Sequence, residues 1–326
     1  MARYFRSDTG ENAAISNEIT GYAVSALVYL HARTGRQEFL DAALRAGRYL
    51  TREAWDPAAA AFPFEPGSHR SYFFDTGIIA RGLLALSRAA DGDEFRARAE
   101  EAALSLAFDF LGDGVFYPAI SLPDKQPLDE EPRWSRKAGC YQLKSALAWF
   151  DLGNEQGARM YQTALAYSLA THDGFLAGET DRARLMDRLH AYCYFLEGLL
   201  AAVDHPLVRE TLAGGIERVG ALLREISPEF ERSDVCAQLL RLRLIAAHLG
   251  AVNLDGSAAG EEARRAACFL SQVEAPRLGG GFWFGRKGGV MLPFSNPVST
   301  AFCAQALALW QDHQSGNWRF ELRELI

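Results

Sequence analysis

The residues best suited to proton transfer recur at one kind of position in this sequence. Glu18, Asp75, His190 and Asp234 each stand two or three residues ahead of an apolar run, and Gly139-Cys140-Tyr141 and Ser299-Thr300 fill the corresponding place in two further copies. Carboxylates and an imidazole gathered in one cleft can serve as general acid and base once their surroundings separate their pKa values. Close by in sequence lie Asn17, Tyr22, Arg70, Tyr72, Lys144, Asp187, Arg188 and Tyr192. Taken singly, Asp75, Asp234 and Ser299 read first as helix caps or first-turn partners of the helix dipole. Glu18 and His190 are poorer caps and lead into Tyr-bearing apolar stretches, so they are the stronger functional candidates.

The elements that must position these groups alternate along the chain. The clearest copy, Phe73 to Leu86, is an apolar run with Ala and Gly at helical spacing, ending at a polar break at Asp91-Gly92. Related apolar helices are predicted over Glu18 to Ala32, Asp75 to Ala89, Tyr141 to Leu152, Leu189 to Val203, Val235 to Leu249 and Ser299 to Gln311. Between them fall amphipathic helices with one charged face: Gln37 to Glu53, Asp93 to Phe110, Asn154 to Thr171, Pro206 to Ile226 and Gly260 to Val273. About eleven helices result. Connections leaving an apolar helix are short, such as Thr34-Gly35-Arg36. Those entering one are often long and aromatic, as over Trp55 to Phe74, Gly112 to Lys137 and Ala275 to Pro297.

A helix that is apolar almost all round has to be covered on all sides, whereas its amphipathic partner needs one covered face. Two concentric rings satisfy both, so the expected fold is all-α: an α/α toroid, or six-hairpin barrel, with inner and outer helix rings and long aromatic loops on one face. It would form one domain over residues 1–326. The repeat length is too irregular for an open solenoid of near-identical units. With its inner-helix copies and Asn296-Pro297-Val298-Ser299-Thr300-Ala301-Phe302, the sequence resembles the six-hairpin (α/α)6 toroids of the glycosidase-like type, and more distantly the terpenoid cyclase and protein prenyltransferase toroids.

The resemblance implies a carbohydrate ligand, a small molecule or an oligosaccharide, at the N-termini of the inner helices. Sugar chemistry there would draw its acid–base pair from Glu18, Asp75, Asp187 and Asp234. His190, Tyr22 and Tyr141 would relay or orient protons, and Trp134 and Trp283 would stack on sugar rings, with Tyr72 beside them. Arg70, Lys144, Arg188 and Arg286, with Arg136, Lys137 and Lys287, would supply cations for an anionic substituent. Hydrolase, lyase and epimerase reactions all stay open, and no resident cofactor is expected. One alternative is a zinc-dependent prenyltransferase-like site, because Asp234-Val235-Cys236 has that family's Asp-x-Cys spacing and His190 lies on a similar helix. A terpenoid-cyclase-like toroid and a non-catalytic glycan- or peptide-binding scaffold are the others. The glycines of Gly279 to Gly289 are read as a β-hairpin or lid.

Composition narrows the remaining classes. The chain has 326 residues and a formal net charge of −7, without basic runs, which gives no electrostatic footprint for nucleic acid. Five scattered cysteines do not form a disulfide framework and fit a reducing compartment. No stretch has the length of a membrane span and the first residues lack an apolar signal region, so the expected location is cytoplasmic. Phosphate-cradling loops, nucleophile elbows and His-Glu-x-x-His are absent from the sequence.

Overall fold

The computed structural model describes every residue except Asp91, Asp113 and residues 273–278. The predicted break at Asp91, the predicted helix end at Val273 and the start of the predicted Ala275 to Pro297 loop lie outside the described residues. Eleven α-helices are present among the described residues, and they fall into two compact units.

The first unit comprises Met1–Ala2, Ala14–Asp173 and Arg323–Ile326. It contains α1 (Asn17–Thr34), α2 (Gln37–Tyr49), α3 (Phe73–Ala89), α4 (Asp93–Phe108), α5 (Leu143–Leu152) and α6 (Glu155–Thr171). Helix α1 packs on α3 and α3 on α5, while α2, α4 and α6 lie against this apolar row. The division follows burial: α3 buries twelve of its 17 residues, whereas α4 buries six of 16, on one face. Caps set the ends of α1, where Ser16 accepts from the Ile19 N–H and left-handed Gly35 closes back on His31.

Glycine lets α1 and α3 approach closely. A Cβ on Gly82 would stand 2.5 Å from the Gly21 carbonyl oxygen, and one on Gly21 would stand 2.8 Å from the Ile79 Cα. Gly82→Ala is therefore expected to destabilise by ~1–2 kcal/mol, because overpacking costs about 1–3 kcal/mol and the gain in helix propensity returns about 1. Urea unfolding of the variant checks this, and a midpoint at or above wild type would contradict the close approach.

The second unit comprises Arg3–Ala13 and Gly174–Leu322. It contains α7 (Arg182–Leu199), α8 (Pro206–Ile226), α9 (Ser233–His248), α10 (Gly256–Ala267) and α11 (Pro297–Ser315). Here α9 packs against both α7 and α11, flanked by α8 and α10. Every residue of α9 from Ser233 to Ala246 is buried, including two arginines. Each has acidic partners: Arg241 pairs with Glu197, donates to Gln305 at 2.9 Å and covers the Phe302 ring, while Arg243 pairs with Glu217 and Glu262.

Short strands lead into two of the apolar helices. Arg70–Tyr72 pairs with Ala119–Ser121 just before α3, and Phe230–Arg232 pairs with Gly285–Lys287 just before α9. The stretch read as a hairpin or lid, Gly279 to Gly289, supplies the first strand and turn of a hairpin, with Gly285–Lys287 turning back onto Val290–Met291 beyond it. Gly285 suits its place, since a Cβ there would meet the Glu231 carbonyl oxygen at 2.4 Å.

Two helix starts lie more than two residues from the sequence expectation. Helix α10 begins at Gly256, capped by Asp255, rather than at Gly260. Helix α7 begins at Arg182, where Asp181 accepts from the Arg184 N–H, rather than at Leu189. The charged run through Arg182, Arg184, Asp187 and Arg188 hides this start, because a half-exposed first turn shows no apolar period. Among the described residues no helix is long and apolar enough to cross a membrane.

Candidate functional site

Because α7 starts at Arg182, His190 lies in its third turn rather than at a helix entry, and it is buried there. The neighbouring helices then bring polar groups to it. Gln238 lies one turn after Asp234 on α9, and Ser299 and Phe302 lie on the first turns of α11. Arg232 ends the Phe230–Arg232 strand immediately ahead of α9.

Hydrogen bonds fix the tautomer of His190. Gln238 directs its amide nitrogen to the His190 carbonyl oxygen at 3.5 Å, which turns Oε1 toward the ring at 2.7 Å from Nδ1. An amide oxygen only accepts, so Nδ1 carries the hydrogen and Nε2 carries the lone pair. Nε2 makes no hydrogen bond among the described residues. Tyr194 packs on the imidazole with ring centres 4.5 Å apart. Burial, reinforced by the charge of Arg232 and opposed by Asp234, lowers the His190 pKa to about 4. The ring is neutral at pH 7, so its 3.8 Å approach to Asp234 is not an ion pair there.

One guanidinium holds both acids beside it. Arg232 grips Asp234 through Nε at 2.9 Å and Nη2 at 2.7 Å, and extends Nη1 to Asp187 at 2.7 Å. Ser299 donates to Asp234 at 3.3 Å. Burial is the largest single influence on the Asp234 carboxyl and pushes it up, but the charge and hydrogen bonds of Arg232, with smaller contributions, together outweigh it, and the net shift is downward. Arg232 rests on the Phe284 ring at 4.7 Å. The Asp187 side chain remains 49% exposed, so this end of the array is open to a ligand.

Capping does not explain these side chains. The N-cap of α9 is Arg232 and that of α11 is Asn296, which accepts from the Val298 and Ser299 N–H groups. Asp234 and Ser299 thus have side-chain partners beyond their own helix ends. In α3 the N-cap is Tyr72, which makes no side-chain cap, and Asp75 lies in the first turn.

The other candidates sit as follows. In the first unit, Glu18 lies in the first turn of α1 behind the Ser16 cap, and Tyr22 is buried one turn on. Tyr141 is buried against Trp134, with ring centres 5.1 Å apart. Its hydroxyl donates to the Lys137 carbonyl at 3.1 Å, and burial, with the Asp75 charge, pushes its pKa well up. Tyr72 hydrogen-bonds Arg136, whose guanidinium also covers its ring, and Arg70 is exposed on the same strand. Lys144 is fully buried and donates to the Ile326 backbone oxygen at 2.9 Å. In the second unit, Arg188 reaches Glu179 at 3.4 Å and Trp283 is half-buried on the loop before the hairpin. Arg286 does not join Arg232. It pairs with Glu231, the strand neighbour of Arg232, on the opposite face.

Arg232 and Gln238 are central to the array yet were not among the sequence candidates. Their signal was available: Gln238 is a polar residue one turn from Asp234 inside an apolar helix, and Arg232 precedes that acid by two. The Asp-x-Cys pair separates, because residues two apart on a helix do not face each other. Asp234 turns to Arg232, whereas the Cys236 thiol lies 3.6 Å from Glu231. Among the described residues no group of three or more His, Cys, Asp or Glu side chains is placed to hold a metal ion.

No family model and no curated protein matches the sequence. Solved structures do match over nearly the full chain. A sugar epimerase from a ruminal bacterium superposes with a TM-score of 0.72 at 13% identity, over 95% of this chain and 92% of that one. Cellobiose 2-epimerase from Spirochaeta thermophila gives 0.70 at 12% identity, over 92% and 87%. A D-mannose isomerase gives 0.68 at 9% identity, over 94% and 91%. The fold of this chain is therefore that of the six-hairpin (α/α)6 toroids.

Proposed function

We propose that this protein is a carbohydrate-active enzyme of the epimerase or isomerase kind, with His190 Nε2 as the base that takes a proton from the carbon beside the carbonyl of an open-chain sugar. The observation carrying this reading is the buried neutral imidazole, anchored at Nδ1 by Gln238 and with its lone pair on the other nitrogen. Glycoside hydrolysis asks for one carboxylic acid raised in pKa opposite a second carboxylate. Asp234 is instead held below its ordinary value by Arg232, which favours proton transfer through the histidine. The sugar-acting neighbours of the same fold support a sugar as the ligand.

In this mechanism Gln238 keeps the lone pair on Nε2, and Asp234 and Arg232 hold the surroundings at fixed charge. Asp187 accepts a hydrogen bond from a sugar hydroxyl at the open end of the array. The chemistry runs on side chains of this chain, without zinc, and metal analysis of the purified protein checks that point. The reaction itself is tested by incubating the protein with mannose and with cellobiose in heavy water. Deuterium should enter at C2 of the epimer, or at C1 of the ketose, as either product forms. Release of new reducing ends from an oligosaccharide, without such exchange, would replace this reading with hydrolysis. Retained sugar binding with neither exchange nor product would mark a binding module.

A further inference from the structure

The face of the hairpin opposite Arg232 carries its own cleft. It encloses about 390 Å³ between α10, the end of α8 and the Gly288-Gly289 turn. Three arginines line it: Arg264 and Arg265 from α10 and Arg286 from the Gly285–Lys287 strand. Two carboxylates answer them. Fully buried Glu231 takes Arg265 at 3.0 Å and Arg286 at 2.5 Å, and Glu261 takes Arg265 at 2.6 Å. One positive charge is left in excess, in a protein whose net charge is −7.

That excess sits on groups with donors to spare. The Arg264 side chain is exposed and makes no ion pair or hydrogen bond among the described residues. Arg286 is committed to Glu231 through Nε and Nη2, and its Nη1 makes no hydrogen bond among the described residues. It is steadied by Phe269, whose ring centre lies 5.7 Å from its guanidinium carbon. Gly289, at φ +80, lines the same cleft, and its N–H makes no backbone hydrogen bond among the described residues. These donors come from a helix, a strand and a turn. A planar carboxylate is satisfied by one guanidinium fork, whereas a tetrahedral oxyanion takes donors from several directions. The cleft is within the size range of small-molecule sites, about 300–1,000 Å³, and larger than a bare oxyanion requires.

We infer that this cleft binds the phosphate group of a small phosphate monoester, at a site separate from the His190 array. Glu231 and Arg232 are successive strand residues and point to opposite faces, so a ligand here contacts neither His190 nor Asp187. Glu231 stays paired on binding, and the phosphate neutralises the arginine charge that Glu231 and Glu261 leave over.

The test titrates the full chain calorimetrically with glucose 6-phosphate and with inorganic phosphate, at constant ionic strength. Saturable one-to-one binding is expected. Arg264→Ala should weaken it at least tenfold, since a hydrogen bond to a charged group contributes about 1.5–3 kcal/mol. Arg264→Glu should abolish it, and because Arg264 is exposed and unpaired these variants should keep the wild-type melting temperature. Arg286→Lys, which keeps the charge beside Glu231 but loses Nη1, should weaken it several-fold. Tighter binding of the ester than of inorganic phosphate identifies the ester as ligand, and equal binding identifies the free anion. No saturable heat with either probe, or an affinity untouched by Arg264→Glu and Arg286→Lys, overturns the site.

Discussion

His190→Gln is expected to lower turnover of a responsive sugar by about 100- to 10,000-fold, the range usual for loss of a positioned base. KM should change little, because the binding groups at the open end of the array remain. The glutamine amide fills similar space and can bond Gln238, but its nitrogen has no lone pair to take a proton. Wild-type activity should also persist well below pH 6.5. The base works when unprotonated, and burial beside Arg232 keeps it so down to about pH 4, so the acid limb of the profile should fall there. Stability has the same sign. An imidazole whose folded pKa lies below its unfolded value contributes stability above about pH 6.5, and this is lost as the pH falls toward 4. The loss is roughly 3 kcal/mol for a shift of this size. His190→Gln should flatten that part of the stability curve. An acid limb near pH 6.5 in the wild type, or full turnover in the variant, would remove His190 from the mechanism.

Arg232→Met is expected to give the largest loss of stability, about 3–5 kcal/mol at pH 7, because it leaves the buried Asp234 carboxylate without its cation. Methionine fills the space over Phe284, so the effect reports on charge more than on volume. The pH dependence separates this cause from simple misfit. In the wild type Asp234 has a lowered pKa, so its contribution is present above the unfolded value and is lost as the pH falls through the folded one. Without Arg232, burial pushes the same carboxyl up, and protonation relieves the variant. Its deficit against wild type should therefore shrink between pH 7 and pH 5 in urea titrations. A deficit that stays constant over that range would place the cost elsewhere. His190, freed from the repulsion of Arg232, should also titrate higher, which moves the acid limb of any residual activity upward. Arg232→Lys should recover only part of both effects, since an ammonium cannot hold Asp234 through two parallel bonds and still reach Asp187.

The helical architecture was legible because its causes are local. Helix α8 runs from Pro206 to Ile226 as read from sequence: proline marks its first turn and one apolar stripe marks its buried face. The alternation of all-round apolar and amphipathic helices was equally plain, since a helix covered on every side has few places for charge. Helix α9 shows the limit of that rule. Its two buried arginines are tolerated because Glu197, Gln305, Glu217 and Glu262 arrive from other helices, and nothing local announces them.

For the site, three of the sequence candidates in the second unit, His190, Asp187 and Asp234, lie together in the structure. His190 was placed at a helix entry because a charged first turn concealed the start of α7, and Asp234 was read first as a cap. Only the tertiary structure decided that Arg232 clamps Asp234 and Asp187, that Gln238 orients the imidazole, and that Arg286 turns away to Glu231. The physical reason is that helix formation depends on composition over a few turns, whereas a side chain's protonation state depends on burial and on charges brought from distant parts of the chain. Residue type shows which groups can titrate, and packing determines which of them do so near neutral pH.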